Sequence, residues 1–126
     1  MEYNTSSPIY LQVIDMIKKQ LVLGELQPGD QLPSTRVLAV EYDVNPNTAA
    51  RIYKEMELAG LCYTKRGLGT YLSDSKDMIK EVRTDMANHV IDSFIDEMTS
   101  LGYTFEEMVH IINEREIIHN DNIKNI

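Results

Sequence analysis

From Ile9 the apolar positions recur every fourth residue, through Val13, Ile17 and Leu21, with Tyr10, Ile14 and Met16 widening the stripe. That spacing keeps them on one face of a helix. Pro8 suits the first turn, where its missing N–H is not needed, and Gly24 ends the pattern. Asp15 and Lys19 stand four residues apart on the polar side and are expected to pair. Gln27-Pro28-Gly29-Asp30 then reads as a turn.

A second, shorter helix is expected from Pro33-Ser34, capped by Ser34, with Val37, Leu38 and Tyr42 as its apolar side. It stops near Tyr42-Asp43, and a third helix follows almost at once. Asn45 is its N-cap, Pro46 its first residue, and Gly60 its end. Ala49, Ile52, Tyr53, Met56 and Ala59 form its apolar stripe. The period then changes to two. Leu61, Tyr63 and Lys65 alternate with Cys62, Thr64 and Arg66, and Thr70-Tyr71-Leu72 returns after Gly67-Leu68-Gly69. Helix, short helix, capped helix and hairpin in this order describe a winged helix-turn-helix, whose second and third helices need so short a link.

Ser73-Asp74-Ser75-Lys76 is a polar hinge, dividing a winged helix-turn-helix domain (1–75) from a short helical region (76–126). Beyond it Ile79, Val82, Met86, Val90, Phe94, Met98 and Leu101 step by three or four, with Ala87, Ile91 and Ile95 alongside. This stripe is wider than one small neighbour would cover. Val82, Met86, Val90, Ile91, Phe94 and Met98 are therefore the candidate residues for a homodimer interface. Gly102 stops the helix, and Thr104 with Glu107 forms a capping box, Tyr103 and Met108 being placed for a hydrophobic staple. A last helix carries Met108, Val109, Ile111 and Ile112 and fades into a polar tail, HNDNIKNI. The expected fold class is mainly α with a small β-hairpin, a winged helix-turn-helix followed by a two-helix C-terminal dimerisation region.

Composition narrows the function. A chain of 126 residues, 43% hydrophobic and 25% charged, is an ordinary globular one. No apolar run approaches the roughly 18 residues of a membrane span, and no signal-peptide pattern opens the chain, so a cytoplasmic location is expected. The single cysteine, Cys62, lies between Leu61 and Tyr63 and reads as a buried small hydrophobe in a reducing compartment. His89, His110 and His119 share no close spacing and lie far from Cys62, so neither a metal site nor a cofactor is expected. No nucleophile–base arrangement or phosphate-cradling glycine loop is present, which argues against an enzyme.

Charge pulls against the obvious partner of such a fold. The chain carries a net −8, with 12 basic and 20 acidic side chains. Most of the excess lies beyond the hinge, where 5 basic residues face 11 acidic ones. Arg36, Arg51, Lys54, Lys65 and Arg66 meet only four acids between residues 34 and 71. DNA binding would therefore have to rest on a local patch, with the acidic C-terminal part held away from the phosphates.

The stretches PIYLQVIDMIKKQLVLGELQPGDQLPSTRVLA, VNPNTAARIYKEMELAGL and TKRGLGTYL, in this order and spacing, resemble the DNA-binding domain of the GntR family of bacterial transcription regulators. The NPNT form and the short C-terminal part are similar to its YtrA-type subfamily. The resemblance covers residues 8–72, about half the chain. It implies a homodimer bound to double-stranded DNA, with the third helix in the major groove and the wing tip near the minor groove. It places Arg36 at a DNA contact from the second helix, Asn45, Asn47 and Thr48 at the start of the recognition helix, and Gly67 at the wing tip. Many family members carry an arginine where Ala50 stands here; Arg51 follows instead and is the candidate replacement.

The physical chemistry of these positions agrees. A helix N-terminus offers free N–H groups to a phosphate, and an asparagine can read adenine through paired donor and acceptor groups. Lys65 and Arg66 before a glycine suit a backbone or minor-groove contact. By this reasoning Arg36 and Lys65 hold phosphates while Asn47 reads bases. Plainer roles exist for each: a helix cap for Asn45, an ion pair with Glu55 for Arg51, edge-strand protection for Lys65 and Arg66, and simple surface charge for Arg36. The expected function is a sequence-specific transcription regulator, a homodimeric repressor on an inverted-repeat operator. The acidic balance and Ala50 leave one alternative, a protein-interaction module that binds a basic protein partner. The roughly 50 residues after the hinge leave little room for a ligand pocket of about 300 Å³ or more, so no small-molecule effector is assigned.

Overall fold

The computed structural model describes residues 2–124, with side chains over 2–118. Among the described residues five helices and one hairpin follow each other as α1 (Ile9–Val22), α2 (Thr35–Glu41), α3 (Pro46–Leu58), β1 (Cys62–Lys65), β2 (Gly69–Leu72), α4 (Lys76–Ser100) and α5 (Phe105–Lys124). This is the winged helix-turn-helix with a helical C-terminal region. The chain divides into two compact units, one up to Arg83 and the other from Thr84.

In the first unit α3 is central, packing against α1, α2 and β1. Ala49, Ile52 and Met56 point from it into a core completed by Val13, Ile17 and Leu21 of α1, Leu38 of α2 and Leu72 of β2, all buried. Burying aliphatic side chains of this size stabilises a fold by about 1.5–3 kcal/mol each. The Tyr53 hydroxyl donates to the Pro33 carbonyl at 2.5 Å, tying α3 to the segment that leads into α2. Val37, expected on the buried side of α2, is 46% exposed instead. Leu38, Ala39 and Tyr42 alone fill that side, because seven residues make barely two turns.

The tight link between α2 and α3 has a defined backbone. The Val44 N–H donates to the Ala39 carbonyl at 3.0 Å and the Asp43 N–H to the Val40 carbonyl at 3.3 Å. This is a Schellman ending, and it puts Asp43 in the left-handed region at φ 52°, where glycine or asparagine is usual. Aspartate is among the few other residues that adopt it readily.

The hairpin pairs Cys62 with Leu72, Tyr63 with Tyr71, Thr64 with Thr70 and Lys65 with Gly69. A third edge lies beside β2. Gln31 bridges to Tyr71, the Leu32 N–H donates to the Thr70 carbonyl, and the Leu72 N–H donates to the Asp30 carbonyl, both at 2.8 Å. The wing is thus braced by the loop that precedes α2.

The hinge residues lead directly into α4, but the first unit extends past them. Met78 and Val82, on the first two turns of α4, are buried and belong to it. Val82, expected at a dimer interface, is only 7% exposed. In the second unit, the Thr104 N–H donates to Glu107 Oε1 at 3.0 Å, and the Glu107 N–H donates to Thr104 Oγ1 at 3.2 Å. That is the reciprocal capping box, and Met108 behind it is buried. The expected polar tail is helical as far as Lys124. The side chains of residues 119–126, His119 among them, and the last two residues lie outside those described. Among the described residues neither Asp15 with Lys19 nor Arg51 with Glu55 forms an ion pair, while His110 Nε2 lies 3.1 Å from Glu114 Oε1.

Candidate nucleic-acid interface

The first turn of α3 follows from its sequence. Asn45 is extended at φ −73° and ψ 159°, its side-chain oxygen accepts from the Thr48 N–H at 2.8 Å, and Pro46 takes the first helical position. Pro46 has no N–H to satisfy and the cap occupies that of Thr48, so the Asn47 N–H remains free at the helix end. Asn47, Ala50 and Arg51 are exposed, while Thr48 is half-buried beside buried Ala49. Because its oxygen is committed to the cap, Asn45 has its amide NH₂ left to offer an acceptor. Asn47 keeps both donor and acceptor.

Arg36 lies in the first turn of α2, whose start is fixed by the Val37 N–H donating to Ser34 Oγ at 3.2 Å. Its side chain is exposed. Arg51, on the second turn of α3, is placed differently from the ion pair its sequence neighbours suggest. Its guanidinium carbon sits 4.0 Å from the centre of the Tyr10 ring, which α1 presents to it. Tyr10, expected to widen the core stripe of α1, is half-buried and supplies a face to that cation. No spacing in the sequence could reveal this pair, since the two residues lie on separate helices.

On the wing, Tyr63 and Tyr71 stack with ring centres 6.0 Å apart and planes 23° apart. The Lys65 ammonium rests over them, 4.9 Å from Tyr71 and 5.8 Å from Tyr63. Arg66 and Gly67 form the tip, closed by the Leu68 N–H donating to the Lys65 carbonyl at 2.9 Å. Gly67 has φ +79°, a conformation that a side chain rarely takes. At Gly69, a Cβ would come within 2.9 Å of Gln31 Nε2, which itself donates to the Leu68 carbonyl at 3.0 Å. Gln31 therefore braces the wing, a role the sequence did not announce.

The electrostatics are local. The structure brings no acid into ion-pair distance of Arg36, Arg51, Lys65 or Arg66 among the described residues. Two of these cations sit on tyrosine faces, where attraction to the ring is worth about 0.5–1 kcal/mol at exposed sites. A ring face orients a cation without cancelling its charge. Two other groups belong to packing. Burial raises the Tyr53 hydroxyl well above its ordinary range, and burial with Glu57 nearby pushes the Cys62 thiol up to about 11. Among the described residues no group of three His, Cys, Asp or Glu gathers to hold a metal ion, and no helix is long and apolar enough to cross a membrane.

Known proteins are similar to this chain in sequence and fold. Residues 9–72 match the family model described as bacterial regulatory proteins, gntR family. The chain is 43% identical over 108 residues to the uncharacterized HTH-type transcriptional regulator YhcF of Bacillus subtilis (strain 168), covering 86% of this chain and 89% of that protein. It is 37% identical over 111 residues to the HTH-type transcriptional repressor YtrA of the same organism, covering 87% and 85%. Among solved structures, a GntR family transcriptional regulator from Listeria monocytogenes superposes with a TM-score of 0.80 at 37% identity, over 89% of this chain and 98% of the other.

Proposed function

The chain belongs to the GntR family of bacterial regulatory proteins and is a transcription regulator, and on that premise we propose that it acts as a cytoplasmic homodimeric repressor on an inverted-repeat operator. The observation that carries this reading is the start of α3, which is capped by Asn45, exposes Asn47, Ala50 and Arg51, and is free of acidic side chains from Asn45 to Arg51. It enters the major groove, where Asn47 reads a base edge and the helix end meets a phosphate. Arg36 and Lys65 hold phosphates on either side, and Arg66 with Gly67 brings the wing to the minor groove.

Residues 76–126 make the dimer. Val90, Ile91, Leu101 and Phe105 are each more than half exposed, and an open, largely apolar cleft of about 570 Å³, roomier than the length of this region led us to expect, lies among Phe94, Met98, Leu101, Tyr103, Ile111, Ile112 and Arg115. So much open apolar surface on a small helical region calls for a second copy. Met86, Val90, Ile91, Phe94 and Met98 serve that contact, Val82 being already buried. Two recognition helices related by a two-fold axis then meet half-sites about one helical turn apart.

Sedimentation of the free protein and fluorescence anisotropy with an operator selected from random DNA test the reading. A dimer is expected, with binding that weakens steeply in salt. Arg36→Ala should lose affinity on every sequence, and Asn47→Ala should also lose the choice among sequences. A monomer, or operator binding untouched by both substitutions, contradicts it.

A further inference from the structure

We infer that Tyr10 is a positioning residue for DNA binding, its ring holding Arg51 on the DNA-facing side of α3 so that the guanidinium takes a backbone phosphate. The inference rests on the reading of α3 as the recognition helix. Asn47 and Arg51 are four residues apart, so both exposed side chains stand on one face, a turn from each other. Glu55 occupies the next turn of that face, and an ion pair with it would draw Arg51 away and cancel its charge. The structure shows no such pair. The guanidinium lies 4.0 Å from the Tyr10 ring centre instead.

That geometry leaves the right groups free. A guanidinium stacked on a ring uses its flat face, while its five N–H donors radiate in the plane and stay available to phosphate oxygens. The ring itself is held, since Tyr10 is half-buried on α1 and α1 packs against α3. In a chain of net charge −8, a cation that is oriented but not neutralised is what a local DNA-binding patch requires.

Anisotropy titrations of the full chain on the selected operator, over a series of salt concentrations, test this with Tyr10→Phe, Tyr10→Leu, Arg51→Ala, Asn47→Ala and the Tyr10→Leu/Arg51→Ala double variant. Tyr10→Phe keeps the ring face and should bind like the wild type. Tyr10→Leu should weaken binding about three- to tenfold. Arg51→Ala should lower the slope of log affinity against log salt by about 0.9, one phosphate contact. Tyr10→Leu should cost nothing further once Arg51 is gone, and sequence choice should be unchanged in every Tyr10 and Arg51 variant, Asn47→Ala alone losing it. The inference falls if Tyr10→Leu binds like the wild type, or if it costs the same with and without Arg51. If Asn47→Ala loses sequence choice while the Tyr10 and Arg51 variants match the wild type, the recognition-helix reading stands without this inference. If the wild type shows no operator preference, both fall.

Discussion

The side-chain oxygen of Asn45 accepts from the Thr48 backbone N–H at 2.8 Å, so the residue that closes the start of α3 also stands at its exposed end. Capping uses the oxygen and leaves the amide NH₂ for the proposed DNA contact. Asn45→Asp preserves the cap and its favourable position at the helix dipole, but replaces the donor with a negative charge. It should unfold at the same or higher urea concentration, yet bind operator about tenfold or more weakly. Asn45→Ala should cost about 1 kcal/mol of stability. An aspartate variant that binds operator like the wild type would leave Asn45 as a cap alone.

Tyr53 is 7% exposed, and its hydroxyl satisfies the Pro33 carbonyl. Tyr53→Phe removes the donor and leaves that acceptor without its partner. Urea unfolding should show a loss of about 1–2 kcal/mol. Because the bond joins α3 to the approach to α2, operator affinity should fall as well. A fully stable variant would show that water replaces the hydroxyl there.

Stability should also fall in alkali through Cys62. Folding raises its thiol from 9.0 to about 11, so the native state holds its proton more tightly than the unfolded chain does. The contribution is fully present below pH 9 and is lost as pH rises to about 11. Over that window the slope is about 1.4 kcal/mol per pH unit. Buried tyrosines add their own loss above their ordinary range, so comparison with Cys62→Ala isolates the thiol. The alanine variant should show a flatter profile, and the native thiol should react slowly with iodoacetamide near neutral pH.

The two wing glycines should differ in cost. A Cβ at Gly67 meets nothing within 4 Å, so Gly67→Ala carries only backbone strain at φ +79°, about 1 kcal/mol. Gly69→Ala adds to strain at φ +126° a contact of 2.9 Å with Gln31 Nε2 and disturbs its bond to the Leu68 carbonyl. It should cost about 1–3 kcal/mol. Equal losses in urea unfolding would show that the Gln31 brace carries no weight.

Much of the fold was legible where local chemistry decides it. The fourfold stripe of α1, the Asn45-Pro46 start of α3 and the Thr104–Glu107 box appear as their residues imply. Resemblance to the YtrA-type regulators likewise agrees with the 37% identity to YtrA. What escaped the sequence depends on distant partners. Gln31 joins the wing from a loop full of turn residues, and Arg51 finds Tyr10 across 41 positions instead of Glu55 across four. Asp43 takes the left-handed turn that glycine usually marks, so its position carried no obvious signal. Val82 matched the period of the C-terminal stripe, but periodicity cannot say which neighbour covers a face.

Selection of bound DNA from a random pool decides whether the protein recognises an operator as a symmetric dimer. One enriched inverted repeat is expected, with half-site centres about ten base pairs apart or a whole multiple of that, bound by one protein dimer. A pool that yields no preferred sequence, or a single asymmetric site bound by a monomer, would contradict it.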